Sequence, residues 1–511
     1  MHYRDFSFQT RSFKKANASM ASHCTQCFCI LLLSSTFACK IATSADLPNI
    51  VVIFIDDMGY ADIGPFGSKT HTTPNLDRMA REGRRFTDFH VSSAVCSASR
   101  AALITGCYHE RVGISGALGP NANIGLSDDE VTLAEICKQK NYATTCIGKW
   151  HLGHHPRFLP TNHGFDSYYG LPYSNDMWPN HPEELAKRAA GQEVKSNYPP
   201  LPLIENTLII DAEVTGEDQT QLTTNYTERA VDFIRQHRAE PFLVYLPHSM
   251  VHVPLYVSSK FAGKSGAGLF GDVVMEVDWS VGLILDTLKE VGVDEKTLVI
   301  FTTDNGPWLS YGDHAGSAAP HREGKGTAWE GGIRVPTLMR WPSKIPPGTT
   351  CDEMACSVDI LPTVASMIGA KLPQHKIDGH DIMPLMLGVI GAVSPHETMP
   401  CYYANDELQA VRDPRWKLIL PHQYRTLAGK PGGTGGLPAK YEQVNVGLEL
   451  YDMKSDRSET KNVANDFPDV VARLQVAANG WRADLGDKLT GLSGSGVRPH
   501  AEMTTSDLRL R

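Results

Sequence analysis

The segment Asn-Ile-Val-Val-Ile-Phe-Ile-Asp-Asp, residues 49–57, decides the fold of this 511-residue chain. Its residues 50–55 are all Ile, Val or Phe. This composition is too uniform for a half-exposed strand and predicts a parallel strand buried on both faces. Two further apolar runs of this kind lie at residues 242–246 and 297–303. The repetition favours an α/β fold.

Polar side chains follow each of the three apolar runs. They are Asp56 and Asp57, then His248 and His252, then Asp304 and Asn305. Loops that leave the carboxyl ends of parallel strands gather at one edge of a doubly wound sheet. We therefore expect these side chains to converge despite their separation in sequence.

Helical patterns between the strands complete the expected architecture. They cover residues 76–82, 133–140, 226–238 and 275–291. We expect a large mixed, mostly parallel sheet sandwiched by helices in residues 46–390. A change of composition then predicts a smaller C-terminal domain, residues 391–495, of antiparallel sheet plus one helix. Residues 496–511 are predicted to form a loose polar tail.

Charge and the N-terminal segment indicate location and partners. The formal charge of −9 argues against a nucleic-acid surface. Arg11, Lys14 and Lys15 precede an apolar run at residues 27–38 that is followed by small residues. This pattern predicts a cleaved signal peptide over residues 1–45, and so a secreted or periplasmic protein, or a lysosomal-type lumen in a eukaryote. The run is too short for a stable membrane span.

Cysteine usage gives one structural expectation. Of the eleven cysteines, four lie in the leader, which leaves an odd number in the rest of the chain. Cys351 and Cys356 are close enough in sequence to favour a local disulfide. An odd number also leaves one cysteine available for other chemistry.

The segment Cys-Ser-Ala-Ser-Arg, residues 96–100, carries the most chemical information. An apolar stretch follows it, so Cys96 is placed just before a helix. Backbone N–H groups at a helix start, with Arg100 one turn further on, suit a sulfate or phosphate group. Spacing alone does not distinguish this site from the commoner case of a buried structural cysteine beside a surface arginine.

The segment resembles the signature of the type I, formylglycine-dependent sulfatases. In that signature Cys, a variable residue, Pro or Ala, a variable residue and Arg direct the oxidation of the Cys to formylglycine. Ala98 stands at the Pro or Ala position, and residues 103–106 match the second half of the signature. The resemblance is to arylsulfatase A-like members of the alkaline-phosphatase-like superfamily. Seven further blocks match in order: residues 56–57, 73–78, 148–153, 303–306, 324–327, 330–336 and 450–452.

The resemblance implies a metal site and a modified residue. By resemblance Asp56, Asp57, Asp304 and Asn305 bind one calcium ion together with Cys96. The implied partner in maturation is a formylglycine-generating enzyme, which converts this cysteine to formylglycine. Oxygen ligands suit a hard divalent ion, although ligand type alone leaves magnesium open.

The resemblance also implies the catalytic residues. They are Cys96, Arg100, Lys149, His151, His252 and Lys325. A formylglycine gem-diol would attack sulfur and form a sulfo-enzyme, with Asp304 as the proton acceptor. His252, helped by Lys325, would protonate the departing alcohol. His151 would then take the proton that allows sulfate to leave, and it is expected on the same side of an extended segment as Lys149.

The substrate pocket is predicted less specifically. The region between residues 154 and 202 and a Gly-rich loop are expected to shape its wall. The Tyr and Trp side chains of this region could stack on a sugar or aryl group, although such residues more often pack in the interior. These candidates are Tyr168, Tyr169, Trp178 and residues 429–436. His154 and His248 are expected to be structural or to face substrate. The expected substrate is a sulfated carbohydrate, with small aryl sulfates also accepted.

Two other functions stay open from the sequence. A phosphate or phosphonate monoester hydrolase would share the superfamily architecture. Lys149 and Lys325, with no obvious second set of Asp and His ligands, favour sulfate over a two-metal phosphatase. A non-catalytic binder of sulfated glycans is disfavoured because the ten expected polar residues are all present.

Overall fold

The computed structural model describes residues 47–193 and 198–510. The predicted leader, residues 1–45, lies outside this range. The strands are β1 (Asn49–Ile55), β2 (Arg84–Phe86), β3 (Phe89–His90), β4 (Ile124–Gly125), β5 (Ala143–Ile147), β6 (Ser167–Gly170), β7 (Leu203–Glu205), β8 (Leu208–Asp211), β9 (Phe242–Pro247), β10 (Thr297–Thr303), β11 (Thr337–Arg340), β12 (Thr349–Cys351), β13 (Ala355–Cys356), β14 (Met399–Tyr403), β15 (Glu407–Arg412), β16 (Trp416–Ile419), β17 (His422–Thr426), β18 (Glu442–Val446), β19 (Glu449–Asp452), β20 (Gly486–Asp487), β21 (Leu492–Ser493) and β22 (Ala501–Glu502). The helices are α1 (Pro74–Glu82), α2 (Cys96–Thr105), α3 (Leu133–Lys138), α4 (Pro182–Ala189), α5 (Gly216–Gln219), α6 (Leu222–Gln236), α7 (Gly268–Glu290), α8 (Glu330–Ile333), α9 (Ile360–Ile368), α10 (Met383–Met386) and α11 (Pro468–Leu485). Within the described ranges, none of the helices has the length and hydropathy needed to cross a membrane.

A ten-stranded mixed sheet forms the centre of the structure. Its order is β12-β2-β11-β10-β1-β9-β5-β6-β7-β8. The five central strands, from β10 to β6, run parallel, whereas β11, β7 and β8 pair antiparallel with their neighbours. Together with the smaller C-terminal sheets, this arrangement confirms the fold class predicted from the sequence.

Helices cover both faces of this sheet, and β1 contributes to the core on each side. Ile50, Val52 and Phe54 pack in one core with residues of α2, α3 and α9. Val51, Ile53 and Ile55 pack in the other core with residues of α1, α6 and α7. All six side chains are completely buried, at about 1.5 to 3 kcal/mol of stabilisation each. This double burial explains why the run has no polar alternation.

The register of the central strands sets the position of the polar residues that follow them. β1 pairs in parallel with β10 from Asn49 opposite Thr297 to Ile55 opposite Thr303. Asp56 and Asp304 are the next residues on the two strands, so the pairing itself brings their backbones together. β9 pairs with the other side of β1.

A smaller four-stranded antiparallel sheet, β14-β15-β16-β19, carries α11 on one face. Buried ion pairs join this sheet to segments that flank the large one. Arg412 Nη2 donates to Asp88 at 2.9 Å, and Lys417 Nζ donates to Glu330 at 3.0 Å. A domain boundary near residue 390 stays a prediction.

The disulfide expected between Cys351 and Cys356 is absent. Both cysteines are free and buried. Cys351 lies on β12, opposite Phe86 of β2, whereas Cys356 lies on β13, opposite His90 of β3. The two side chains belong to different hydrophobic cores, and proximity in sequence did not reveal this.

The expectation of a loose tail after residue 495 is also wrong. Arg498 forms an ion pair with Glu130 at 2.6 Å, and its backbone N–H donates to the Arg111 carbonyl at 2.6 Å. β22 then pairs with β4. The polar composition of this segment reflects ion pairing and strand pairing with the large domain.

We expect His396 to stabilise the fold most strongly at acidic pH. Its Nε2 lies 2.9 Å from both carboxylate oxygens of Asp359. Burial disfavours the charged imidazole, but the Asp359 carboxylate outweighs burial and raises the pKa of His396. Because the pKa of His396 is higher in the folded protein than in the unfolded chain, its protonation stabilises the fold. This stabilisation is fully present below the unfolded-state pKa of about 6.5 and is lost as the pH rises through the folded-state pKa.

The test is the free energy of unfolding of wild type and His396→Gln at pH 5.5 and pH 9. We expect a loss of about 1.5 to 3 kcal/mol at pH 5.5 and a smaller loss at pH 9. His237→Gln, at a more exposed ion pair with Glu240, serves as the control. An equal loss at both pH values would contradict the assignment.

Candidate active site

Cys96 lies at the start of α2, at the carboxyl edge of the large sheet. Its side chain is buried, and its thiol lies 3.5 Å from Asp56 Oδ1. Lys325 Nζ donates to the Cys96 sulfur at 3.4 Å. Burial raises the pKa of the thiol far above its usual range, so Cys96 carries no thiolate. A protonated, buried thiol is poorly suited to act as a nucleophile.

An oxygen-rich cluster surrounds this position. The Asp57 backbone N–H donates to Asp304 Oδ1 at 3.1 Å, and Asn305 Nδ2 donates to Asp57 Oδ1 at 2.7 Å. The Asn305 side-chain oxygen is buried and has no hydrogen-bond partner among the described residues. With Asp56, these side chains offer oxygen ligands only, so they fit a hard divalent cation.

Three buried cations balance the three carboxylates. Lys149 Nζ lies 2.5 Å from Asp56 Oδ2. Arg100 Nη2 donates to Asp304 Oδ2 at 2.8 Å, and Lys325 Nζ donates to Asp57 Oδ2 at 2.9 Å. Buried charges persist only when they are paired in this way.

These pairs shift the pKa values of the carboxyl groups in opposite directions. Burial would raise the pKa of Asp56, but Lys149, followed by His252 and Arg100, holds it well below its usual range. Burial and the neighbouring Asp56 carboxylate raise the pKa of Asp304. The two strand ends therefore carry carboxyl groups of different basicity.

Gly148 allows Lys149 to reach the cluster from β5. Its φ is +133°, and a Cβ atom there would lie 1.9 Å from the Pro247 carbonyl oxygen. The next N–H, of Lys149, donates to that same carbonyl at 2.7 Å. Beyond Asp56, Lys149 Nζ also donates to Ser174 Oγ at 3.1 Å.

His151 does not lie on an extended segment, contrary to the prediction. Its φ is +65°, so the backbone turns between it and Lys149. Its Nε2 pairs with the Leu118 carbonyl at 3.0 Å, which requires the proton to be on Nε2. Its Nδ1 is buried without a partner among the described residues. Burial and Lys149 lower the pKa of His151 well below its usual value, so Nδ1 is an unprotonated acceptor.

A hydrogen bond joins His252 and Lys325. His252 Nδ1 lies 2.5 Å from the Val253 carbonyl, and His252 Nε2 lies 2.9 Å from Lys325 Nζ. Since a carbonyl only accepts, Nδ1 carries the hydrogen and Nε2 accepts from the ammonium. Burial, followed by Lys325, lowers the pKa of His252.

The structure brings together the ten residues singled out from the sequence. Nine of them form one continuous set of side-chain contacts: Asp56, Asp57, Cys96, Arg100, Lys149, His252, Asp304, Asn305 and Lys325. His151 lies close enough for Lys149 and Arg100 to shift its pKa.

Sequence reasoning missed three neighbours of this cluster. Ser174 contacts Lys149 as described above. Lys325 Nζ lies 4.5 Å from the centre of the Trp308 ring, and Arg425 Nη2 donates to the Lys325 carbonyl at 2.6 Å. Only Trp308, four residues after Asp304, had a signal in the sequence, namely an aromatic residue close to a strand-end motif.

The aromatic residues considered for the pocket wall are packed in the interior. Tyr168, Tyr169 and Trp178 are buried in the hydrophobic cores. The Gly-rich loop, residues 429–436, packs on the 309–314 segment, where Gly433 N–H donates to the Ser310 carbonyl at 2.8 Å.

The two additional histidines have structural contacts. His248 is buried, and its Nε2 lies 3.1 Å from Ser280 Oγ. Burial lowers its pKa to about 3. His154 packs against His155, with ring centres 4.0 Å apart. Both are therefore uncharged packing residues, which matches the structural role that was one of the two predicted alternatives.

Comparison with known proteins agrees with this geometry. The family model described as Sulfatase matches residues 48–370. The chain belongs to the sulfatase family. A second model, N-sulphoglucosamine sulphohydrolase, C-terminal, matches residues 324–427.

Individual sulfatases are similar over most of the chain. Arylsulfatase A of Bos taurus is 38% identical over 441 residues, which cover 84% of this chain and 85% of the relative. N-acetylgalactosamine-6-sulfatase of Canis lupus familiaris is 37% identical, covering 75% of this chain and 73% of the relative. The solved structure of Ps i-CgsB in complex with k-i-k-neocarrahexaose has a TM-score of 0.69 and 27% identity, covering 88% of this chain and 95% of that one. The sulfatase thus has an alkaline-phosphatase-like fold and is a sulfuric ester hydrolase, as its resemblance to the type I sulfatases implied.

Gly326 is expected to be required for activity because it leaves room for Arg425. Its φ is +81°, and a Cβ atom there would lie 2.1 Å from Arg425 Nη2. Gly326→Ala should displace Arg425 from the Lys325 carbonyl and shift the lysine. A misplacement of about 1 Å can cost about 100-fold in rate, so we expect kcat for 4-nitrophenyl sulfate to fall about 10- to 100-fold.

Gly429 provides a matched control. Its φ is +75°, and a Cβ atom would meet nothing within 4 Å. Gly429→Ala should cost about 1 kcal/mol of stability through backbone strain, as at Gly326, and leave kcat unchanged. Equal loss of kcat in both variants would refute the contact with Arg425 as the cause.

Proposed function

We propose that this sulfatase hydrolyses sulfate monoesters with a formylglycine made from Cys96, by way of a sulfo-enzyme intermediate. The observation that carries the proposal is the position of Cys96 between Asp56 and Lys325, beside an oxygen-rich cluster and three buried cations. A formylglycine-generating enzyme would carry out the conversion. The hydrated aldehyde would supply a hydroxyl as the nucleophile, which a protonated thiol cannot.

The cations around Cys96 suit the charge of a sulfuryl group. Arg100, Lys149 and Lys325 are buried, so their fields are weakly screened. In the reaction they would offset the negative charge that develops on the sulfuryl oxygens and on the departing oxygen. Ser174 Oγ, which contacts Lys149, adds a hydroxyl to this set.

Two histidines are placed for proton transfer at opposite stages. The His252–Lys325 pair holds a proton across 2.9 Å, so we assign it the protonation of the departing alcohol. His151 has its Nε2 hydrogen fixed by the Leu118 carbonyl and its Nδ1 lone pair free, so it suits the role of base in the release of sulfate. Asp304, whose carboxyl pKa is raised, is assigned to accept the proton of the nucleophile.

Asp56, Asp57, Asp304 and Asn305 would hold one Ca²⁺, with formylglycine at position 96 as a further ligand. The unpartnered Asn305 oxygen and the oxygen-only ligand set support this ion over a transition metal. The ion would act as a Lewis acid toward the sulfate group and the nucleophile.

A sulfated carbohydrate is the proposed natural substrate, with aryl sulfates as small substitutes. The similar protein from Canis lupus familiaris is named an N-acetylgalactosamine-6-sulfatase, and the similar Ps i-CgsB structure contains an oligosaccharide. A secreted, periplasmic or lysosomal-type location, without a membrane span, is proposed from the leader sequence.

The modification is tested on protein expressed together with a formylglycine-generating enzyme. The tryptic peptide of residues 86–100 should be about 18 Da lighter than the cysteine form, the difference between a thiol and an aldehyde. Cys96→Ala should lose about 10⁴-fold or more in kcat for 4-nitrophenyl sulfate.

Cys107→Ala is the control, because Cys107 is buried just beyond the far end of α2, away from the cluster, and should keep wild-type kcat. An unmodified peptide with full activity would refute the formylglycine proposal.

The metal site is tested by thermal unfolding, which does not depend on turnover. Adding Ca²⁺ at about 100 times its Kd stabilises the folded protein by about 2.7 kcal/mol, so we expect Tm to rise by about 2 to 5 °C. Asn305→Ala should remove most of this rise, whereas Asn479→Ala, at an exposed residue of α11, should keep it. A rise with Mg²⁺ but none with Ca²⁺ would contradict the choice of ion.

A further inference from the structure

One pocket adjoins the reaction centre at the side of the proton-donating pair. Its volume is about 330 Å³, and it opens between the 176–184 segment, Trp308 and the strands around Arg425 and Tyr441. None of these residues belongs to the metal cluster. A pocket in this position can receive only the alcohol portion of the ester, because the sulfate group occupies the cation cluster.

Trp308 connects the pocket to the chemistry. Its ring centre lies 4.5 Å from Lys325 Nζ and 5.6 Å from the centre of the His252 ring. The ring also lines the pocket. A group packed on this ring would therefore lie next to the pair that protonates the departing oxygen.

Arg425 lines the pocket next to Trp308, with its guanidinium 5.9 Å from the centre of the Trp308 ring. Its Nε and Nη2 donate to the Lys325 carbonyl at 3.2 and 2.6 Å, and its guanidinium lies 4.8 Å from the Tyr441 ring centre. The guanidinium is thereby held rigid, with two of its nitrogens engaged. This wall offers a planar polar surface beside aromatic rings, which suits a saccharide better than a lipid chain.

Among the described carboxylates that line the pocket, Asp176 is the one without an ion pair. Its Oδ1 has no hydrogen-bond partner within residues 47–193 and 198–510. Glu183 and Glu184 also line the pocket, and both are paired with Lys187 at 2.9 Å, although Glu184 Oε2 also has no hydrogen-bond partner among the described residues. Burial would raise the pKa of Asp176, but a hydrogen bond from Ser174 and the charge of Lys149 help to lower it, so the group is ionised. An ionised carboxylate accepts strong hydrogen bonds from hydroxyl groups.

We propose that this pocket binds the sugar ring of a monosulfated saccharide, with the ring against Trp308 and a sugar hydroxyl donating to Asp176. The inference rests on the proposed sulfatase activity and deepens it by naming the residues that recognise the alcohol. The acidic wall of Asp176, Glu183 and Glu184 disfavours a second sulfate on the same sugar, since like charges repel at short range.

The test compares 4-nitrophenyl sulfate with a panel of monosulfated monosaccharides that includes N-acetylgalactosamine 6-sulfate. The readout is the ratio of kcat/KM for the best saccharide to kcat/KM for the aryl sulfate. Asp176→Asn should lower this ratio about 10-fold, because a charge-assisted hydrogen bond is about twice as strong as a neutral one. Glu217→Gln removes the same charge at an exposed residue outside the pocket and should change the ratio by less than about twofold.

The first part of a second measurement uses wild-type enzyme alone and does not depend on a variant folding well. Among monodeoxy analogues of the best saccharide sulfate, one should lose about 10-fold or more in kcat/KM. The same analogue should lose much less with Asp176→Asn, because residue and hydroxyl act as one pair.

The outcomes separate the two proposals. Failure of wild type to hydrolyse any sulfate ester would overturn the sulfatase proposal itself. Hydrolysis of the aryl sulfate but of no saccharide would overturn only the sugar pocket. An unchanged ratio of saccharide to aryl sulfate kcat/KM in Asp176→Asn would also overturn the sugar pocket. A preference for a disulfated sugar over its monosulfated counterpart would do the same.

Discussion

The balance of buried charge at the carboxyl end of β1 is the constraint on which the site depends. Three carboxylates and three cations meet there almost without solvent: Asp56, Asp57, Asp304, Arg100, Lys149 and Lys325. Removing one partner of such a pair leaves an uncompensated charge at a cost of about 3 to 5 kcal/mol. Each cation comes from a different part of the chain, so the cluster is stable only when the whole large sheet and its loops are in place.

The same balance governs what the site can take up. Equal numbers of carboxylates and cations leave it close to neutral, so a sulfate ester alone would add an unpaired negative charge to a low-dielectric environment. A divalent cation entering with the ester keeps the total closer to zero. The carboxylates paired with Lys149 and Lys325 are also the proposed metal ligands, so an ion bound there would leave both ammonium groups free for the sulfate oxygens. Anion binding and metal binding are thus aspects of one electrostatic arrangement.

The sequence predicted those features that depend on local patterns. Double burial of β1 leaves a continuous apolar run, and parallel register places the next residues together, so Asp56 and Asp304 were identified correctly as neighbours. Features that depend on distant contacts could not be read in this way. The backbone N–H at the His151 turn donates to the Pro172 carbonyl, and Arg425 contacts the carbonyl of a residue one hundred positions earlier in the chain. Residue type also does not distinguish a pocket aromatic from a packed one, which is why the sequence left both positions open for Tyr168, Tyr169 and Trp178.

Lys325 joins recognition to chemistry through a single residue. Its ammonium group contacts Asp57, Cys96 and His252, while its carbonyl holds Arg425 in the pocket wall. Gly326 follows it because no larger residue leaves room for that guanidinium. A change in the pocket wall would therefore be transmitted to the proposed proton donor over one peptide unit. Substitutions of Arg425 that alter substrate preference are expected to alter kcat as well as KM. Asp176 lies in the 176–184 segment and makes no contact with the Lys325 carbonyl, so its substitution should not affect kcat by this route.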